Sequence, residues 1–163
     1  MRHGIAVPRS STAIRSDHGR RLTQKGAKKI RRAAKGLGHL KISFDLILTS
    51  PLPRARQTAQ IVAEAFDLEE KLEQMSELRP EGTPQALLAG LTPYRKLKRI
   101  LLVGHQPLLG KAASFLLADG KEIRINLKKG GVCLIELEEL RAGGPALLHW
   151  LLNPGQLRLL GDS

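Results

Sequence analysis

The run Arg99-Ile100-Leu101-Leu102-Val103-Gly104 constrains this chain most. Branched apolar residues in so short a run, closed by a glycine, predict a strand buried on both faces. The run leads through His105-Gln106-Pro107 into a helix expected to end near Leu117. Phe44-Asp45-Leu46-Ile47-Leu48 repeats the arrangement, passing through a Thr49-Ser50-Pro51 junction into a helix from about Pro53 to Phe66. Pro53 suits a first helical turn, and Ala55, Ala59, Val62 and Phe66 fall on one stripe. Strands alternating with helices imply a mostly parallel sheet, because parallel neighbours must be joined by crossovers that cover its faces. The expected fold class is therefore α/β, a three-layer αβα sandwich.

The remaining elements fit around that core. Arg9 to Arg21 reads as a loop, rich in turn-formers. Thr23 caps a helix to about Leu37, with Ala27, Ile30, Ala34 and Leu37 as its apolar stripe and Gly36 and Gly38 as its stop. Gly26 in its first turn costs about 1 kcal/mol of helix propensity relative to Ala, which points to close packing or a close ligand there. A short edge strand is expected around Glu70 to Met75, and a short helix from Thr83-Pro84 to near Gly90. Gly131 to Leu137 and Ala146 to Leu152 read as two strands joined by a turn at Ala142-Gly143-Gly144-Pro145. One domain over residues 1–163 is expected.

Composition narrows the function classes. The net charge is +12, but residues 1–44 hold twelve Lys/Arg against the single acid Asp17, so the basic excess is an N-terminal property. Such a field suits an anionic substrate; with aromatics at 3%, stacking platforms are lacking and nucleic acid is disfavoured. No run approaches the roughly 18 to 20 apolar residues that span a bilayer, and no leader pattern opens the chain. A cytoplasmic address without membrane association is expected. The single cysteine, Cys133, reads as a small core residue of a strand. His18, His39 and His149 show no metal-ligand spacing, so neither metal nor other cofactor is expected.

Three separated segments carry chemistry: Arg2-His3-Gly4, Ser50-Pro51-Leu52-Pro53-Arg54 and Gly104-His105-Gln106-Pro107. Two of them follow strands, and ligands of open α/β sheets gather beyond the carboxyl ends of strands. Two histidines and two arginines meeting there suit capture of a phosphoryl group on histidine. An imidazole attacks phosphorus only while neutral, and neighbouring guanidinium charges favour that form. Arginine forks match phosphoryl oxygens and never deprotonate. Ser50 reads as a helix-start residue, since no nucleophile-elbow pattern surrounds it.

These motifs, with Arg21-Leu22-Thr23-Gln24-Lys25-Gly26 and the continuation to Gln57-Thr58, resemble those of the histidine phosphatase superfamily, whose fold is phosphoglycerate-mutase-like. Within it they look most like the small SixA-type phosphohistidine phosphatases. The resemblance implies that His3 is the nucleophile, that Arg2, Arg54 and His105 line the phosphate pocket, and that His105 also takes part in catalysis. An acid for the leaving group falls by position on Glu77, with Glu81 behind it.

The expected activity is hydrolysis of protein phosphohistidine through a phosphohistidine intermediate on His3. The partner is then a phosphorylated protein, such as a histidine-phosphorylated signalling or phosphotransfer domain. Alternatives are a broad small-phosphoester phosphatase of the same fold, or a catalytically impaired polyanion-binding module. One departure supports the last. In the family an apolar central strand runs into the Arg-His-Gly triplet, whereas this chain starts one residue before Arg2 and apparently lacks that strand, leaving two sheet edges and a loosely anchored nucleophile. A true start upstream of Met1 is the favoured explanation.

Overall fold

The structure, a computed structural model, describes residues 1–9, 17–118, 122–141 and 144–161. Part of the expected loop over residues 9–21 and the Ala142-Gly143 half of the expected turn lie outside those residues. The helices are α1 (Gln24–His39), α2 (Pro53–Phe66), α3 (Pro84–Leu91), α4 (Leu108–Leu117) and α5 (Pro154–Gly161). The strands are β1 (Leu46–Thr49), β2 (Leu72–Gln74), β3 (Ile100–Val103), β4 (Val132–Leu137) and β5 (Ala146–Leu152).

β1 lies between β2 and β3, parallel to both. Its side chains alternate, as a strand covered on both faces requires. Ile47, with Leu101 and Val103 of β3, joins a core formed with α1, α2 and α5. Leu46 and Leu48 join a second core with Leu87 and Leu91 of α3 and Leu109 and Ala112 of α4. Those two cores are the spaces between the three layers. β4 and β5 pair antiparallel, with a register irregularity between Leu134 and Ile135, and Cys133 is half-buried in β4.

The place expected to be vacant beside β3 holds the first residues of the chain. Met1 N donates to Leu102 O at 2.7 Å, Gly104 N to Met1 O at 3.1 Å and His3 N to Gly104 O at 3.0 Å. On the other side, Arg2 N donates to Gly131 O at 2.9 Å and Gly130 N to the carbonyls of Arg2 and His3. Arg2 bridges Gly104 in parallel sense. Residues 1–3 thus lie between β3 and the lead-in to β4 as an isolated bridge rather than a full strand, and these bonds correct the expectation of a loosely anchored nucleophile loop.

Two helix expectations also change. Thr23 caps α1 by accepting from Gly26 N at 2.9 Å, but the helix runs through Gly36 and Gly38 to His39. Gly36 is a packing residue: a Cβ there would stand 1.8 Å from Leu157 O, so its absence lets α5 lie directly on α1. Gly26 serves likewise, since a Cβ would stand 2.1 Å from Ile5 O. Close packing, not a ligand, accounts for it. The second change is α5, absent from the sequence reading. Asn153 Oδ1 accepts from Gly155 N and Gln156 N, and Pro154 opens the helix, which is a readable start signal.

Candidate active site

The quartet meets at the carboxyl end of the parallel strands. His3 lies in the N-terminal segment, Arg54 stands in the first turn of α2 after β1, and His105 follows β3. His3, Arg54 and His105 are 4%, 2% and 2% exposed, so three polar side chains share a nearly dry site. Arg2 is half-buried, its Nη1 donating to Leu127 O at 2.8 Å.

The local backbone explains the aim of His3. Gly4 N donates to Thr58 Oγ1 at 3.0 Å, and that hydroxyl donates to Arg54 O at 2.7 Å, tying the loop to α2. A Cβ on Gly4 would come within 2.7 Å of Ile30 Cγ1, so only glycine lets the loop settle on α1. His3 Nδ1 lies 2.7 Å from Gly4 O. A carbonyl only accepts, which assigns the proton to Nδ1 and the lone pair to Nε2. Arg54 Nε donates to that Nε2 at 3.3 Å.

His105 Nε2 lies 2.9 Å from Ser50 Oγ, and Ser50 is itself placed by its N donating to Val103 O. The His3 and His105 rings are 5.0 Å apart, tilted by 55°. His105 Nδ1 is buried and has no hydrogen-bond partner among the described residues.

Both imidazoles are held neutral. Burial lowers His3 to about 4, assisted by the charges of Arg54, Arg2 and Lys129 and opposed by the Gly4 carbonyl. Burial lowers His105 to about 3, with His3 and Arg54 adding to it. Desolvation therefore leads and the guanidinium charges, named first in the sequence argument, come second.

Glu77 directly precedes Leu78, whose carbonyl oxygen is 3.2 Å from where a Cβ on Gly104 would sit, next to His105. Glu77 is half-buried in the 3-10 turn Ser76–Leu78, its carboxyl carbon within 3.3 Å of where a Cβ on Gly90 would sit, against α3. It makes no hydrogen bond or ion pair with His3, Arg2, Arg54 or His105. Glu81, which is exposed, pairs loosely with the half-buried Arg79 at 4.0 Å.

Two residues at the site escaped the sequence reading. Ser50 is a partner of His105 as well as a junction residue. Asp17, counted there only as the lone acid of a basic region, accepts from Arg54 through both its backbone and its carboxylate. Neither carries a local motif; the signal for Ser50 was its place directly after a buried strand. A separate cleft lined by Arg21, Arg56, Gln57, Gln60 and Gln74 opens on another face of α2, and none of the quartet lines it.

A parallel sheet covered on both faces, with paired histidines and arginines at its carboxyl edge, defines an α/β enzyme of the phosphoglycerate-mutase-like fold. Residues 1–83 match the sequence profile of the Histidine phosphatase superfamily (branch 1), and the chain belongs to that superfamily. It is 41% identical to an uncharacterized protein of Picosynechococcus sp. over 81% of this chain and 79% of that one. It is 28% identical to the phosphohistidine phosphatase SixA of Escherichia coli over 98% of this chain and 94% of that one. The solved structure of the protein histidine phosphatase SixA complexed with tungstate superposes with a TM-score of 0.83 at 28% identity, over 96% of each chain. Family and neighbours together indicate a phosphatase. Among the described residues no helix is long and apolar enough to cross a membrane.

Proposed function

We propose that the protein hydrolyses phosphohistidine on a partner protein through a covalent phosphohistidine on His3. The observation that carries the reading is the state of His3: buried, neutral, protonated on Nδ1, with the Nε2 lone pair facing Arg54 beside His105. Arg54 Nε passes from His3 Nε2 to an entering phosphoryl oxygen, and the freed lone pair attacks phosphorus in line as the bond to the substrate imidazole breaks. That ring, protonated on its far nitrogen, takes the bonding pair and leaves as neutral imidazole. Arg2, Arg54 and His105 hold the equatorial oxygens as charge spreads over them. Water then attacks the phosphoryl group on His3, giving inorganic phosphate and restoring the neutral imidazole. Splitting the transfer replaces one difficult displacement with two easier ones.

The likeness to SixA of Escherichia coli supports phosphohistidine as the substrate, and the tungstate held by the solved SixA structure is an oxyanion of suitable shape and charge. An imidazole leaving group is less basic than an alkoxide and depends less on a general acid. Glu77 is accordingly proposed as an acid that matters for alkyl phosphoesters more than for phosphohistidine.

The test is hydrolysis of a histidine-phosphorylated phosphotransfer domain beside small phosphoesters. His3→Ala is expected to abolish turnover, and rapid quenching of the wild type to reveal acid-labile phosphate on His3. An unaltered rate in His3→Ala sinks the mechanism, and a marked preference for sugar or nucleotide phosphates sinks the substrate assignment. In the same assay Glu77→Gln is expected to slow alkyl phosphoester hydrolysis about tenfold or more while changing phosphohistidine hydrolysis only a few-fold.

A further inference from the structure

Asp17 is the single acid among the first 44 residues, and although its side chain is 31% exposed it is engaged by three arginines. Its backbone oxygen accepts from Arg54 Nη1 at 2.8 Å, and its Oδ2 accepts from Arg54 Nη2 at 3.2 Å. Its other carboxylate oxygen accepts from Arg9 Nε at 2.8 Å and lies 2.9 Å from Arg20 Nε. The Arg20 side chain is 12% exposed and its Nε makes no hydrogen bond among the described residues, so it acts on the carboxylate through its charge. Burial pulls the Asp17 carboxyl upward, but Arg54, Arg20 and Arg9 outweigh it and hold the group below the ordinary carboxylate range.

We propose that Asp17 is a positioning residue that clamps the terminal nitrogens of Arg54 so that its Nε, which donates to His3 Nε2 in the unliganded site, is held where it passes to an oxygen of the phosphoryl group that His3 attacks, an inference that rests on the reading of His3 as nucleophile. An arginine side chain has several soft torsions, and aiming its planar head takes more than one fixed point. Thr58 Oγ1 fixes the Arg54 carbonyl at the root of the side chain, and residue 17 fixes the far end twice. With both ends held, Nε can point only one way, and His3 lies there at 3.3 Å. The N–H groups of Arg54 that these contacts leave over are available to phosphoryl oxygens. Asp17 is on the terminal side of the guanidinium, whereas a phosphoryl group attacked by His3 sits on the Nε side. It is therefore a clamp, not an occupant of the phosphoryl position.

The clamp has a kinetic signature. A carboxylate beside the pocket weakens ground-state binding of an anion, so Asp17 is retained at a cost in affinity that its aim of Arg54 offsets in the transition state. Removing it is expected to lower kcat about tenfold or more while KM stays within about threefold, the split that marks lost transition-state stabilisation. Asp17→Asn keeps an oxygen acceptor for Nη2 and is expected to recover most of the kcat lost in Asp17→Ala.

A second readout needs no turnover. Nitrogen NMR titration of the His3 ring follows the lone pair that Arg54 Nε engages. Arg54, Arg2, Lys129 and His105 face that ring, and both variants lose the same charge, so their difference isolates the hydrogen bond. His3 is expected to titrate higher in Asp17→Ala than in Asp17→Asn, because losing a donor to Nε2 destabilises the neutral ring. Equal titration in the two variants overturns the clamp. So does an Asp17→Ala kcat within about twofold of wild type, or a loss carried wholly by KM. Tighter inorganic phosphate binding with kcat retained would make Asp17 a displaceable anion instead, and also overturns it. Should Asp17→Ala not fold, Asp17→Glu, which keeps the charge and shifts the oxygens, takes its place: a comparable kcat loss is expected, and wild-type kcat overturns the proposal. Wild-type protein inactive on every phosphoryl substrate counts against the functional reading alone, and the NMR comparison still decides the clamp.

Discussion

His3 and His105 are titratable groups kept neutral by burial, and that ties the stability of the protein to pH. In an unfolded chain both rings take protons near the ordinary value of 6.5, while in the fold they do so only at about 4 and about 3. Their stabilising contribution is therefore complete above pH 6.5 and is lost as the pH falls through the folded values, because between them the unfolded state binds more protons. Denaturant unfolding is expected to show lower stability at pH 5 than at pH 7.5, with much of that slope removed in a His3→Gln, His105→Gln double variant. The residue types of the quartet were legible because each sits in a short motif next to a strand or helix start. Their partners were not. Arg54 reaches His3 across 51 positions and Asp17 across 37, and Ser50 reaches His105 across 55. No local pattern encodes such a pairing.

Among the elements, α1 shows where propensity and packing part. Its glycines look alike in sequence, and both were read as stops. Gly36 faces α5, where a Cβ would meet Leu157 O at 1.8 Å, while at Gly38 a Cβ would meet nothing within 4 Å. Gly36→Ala is expected to destabilise by about 1–3 kcal/mol, overpacking overriding the gain in helix propensity. Gly38→Ala, with that gain unopposed, is expected to be neutral or to stabilise by about 0.5–1 kcal/mol. Denaturation midpoints of the pair check both. The bounds of α2 were legible to the residue, since Pro53 opens it and the Ala55, Ala59, Val62 stripe is fully buried. α5 was missed although Asn153-Pro154 announced it, because a short helix after a hairpin has little periodicity of its own.

Over the whole molecule, part of the basic excess of the first 44 residues stands, among the described residues, on α1 and beside the site. Lys25, Lys28, Arg31 and Lys35 stand exposed on α1, and Arg9 and Arg20 converge on Asp17 beside the site. A field of one sign near an anion site steers an acidic partner more than a small substrate. Raising salt from about 0.05 to about 0.5 M is expected to depress kcat/KM for a phosphorylated acidic protein several-fold more than for a small phosphoester. Lys28→Glu with Lys35→Glu is expected to lower only the former; equal sensitivity of both substrates would remove the steering role. At this scale the division of labour between chain and fold is clear. The sequence by itself determined the α/β class and which histidines and arginines are available, because strand and helix periods and the residues that follow strands are local properties. The tertiary structure alone decided the seat of residues 1–3 between β3 and Gly130-Gly131, the grip of Asp17 on Arg54 and the neutrality of the two imidazoles. Those depend on distance through space and on exclusion of water, which exist only once segments far apart in the chain have met.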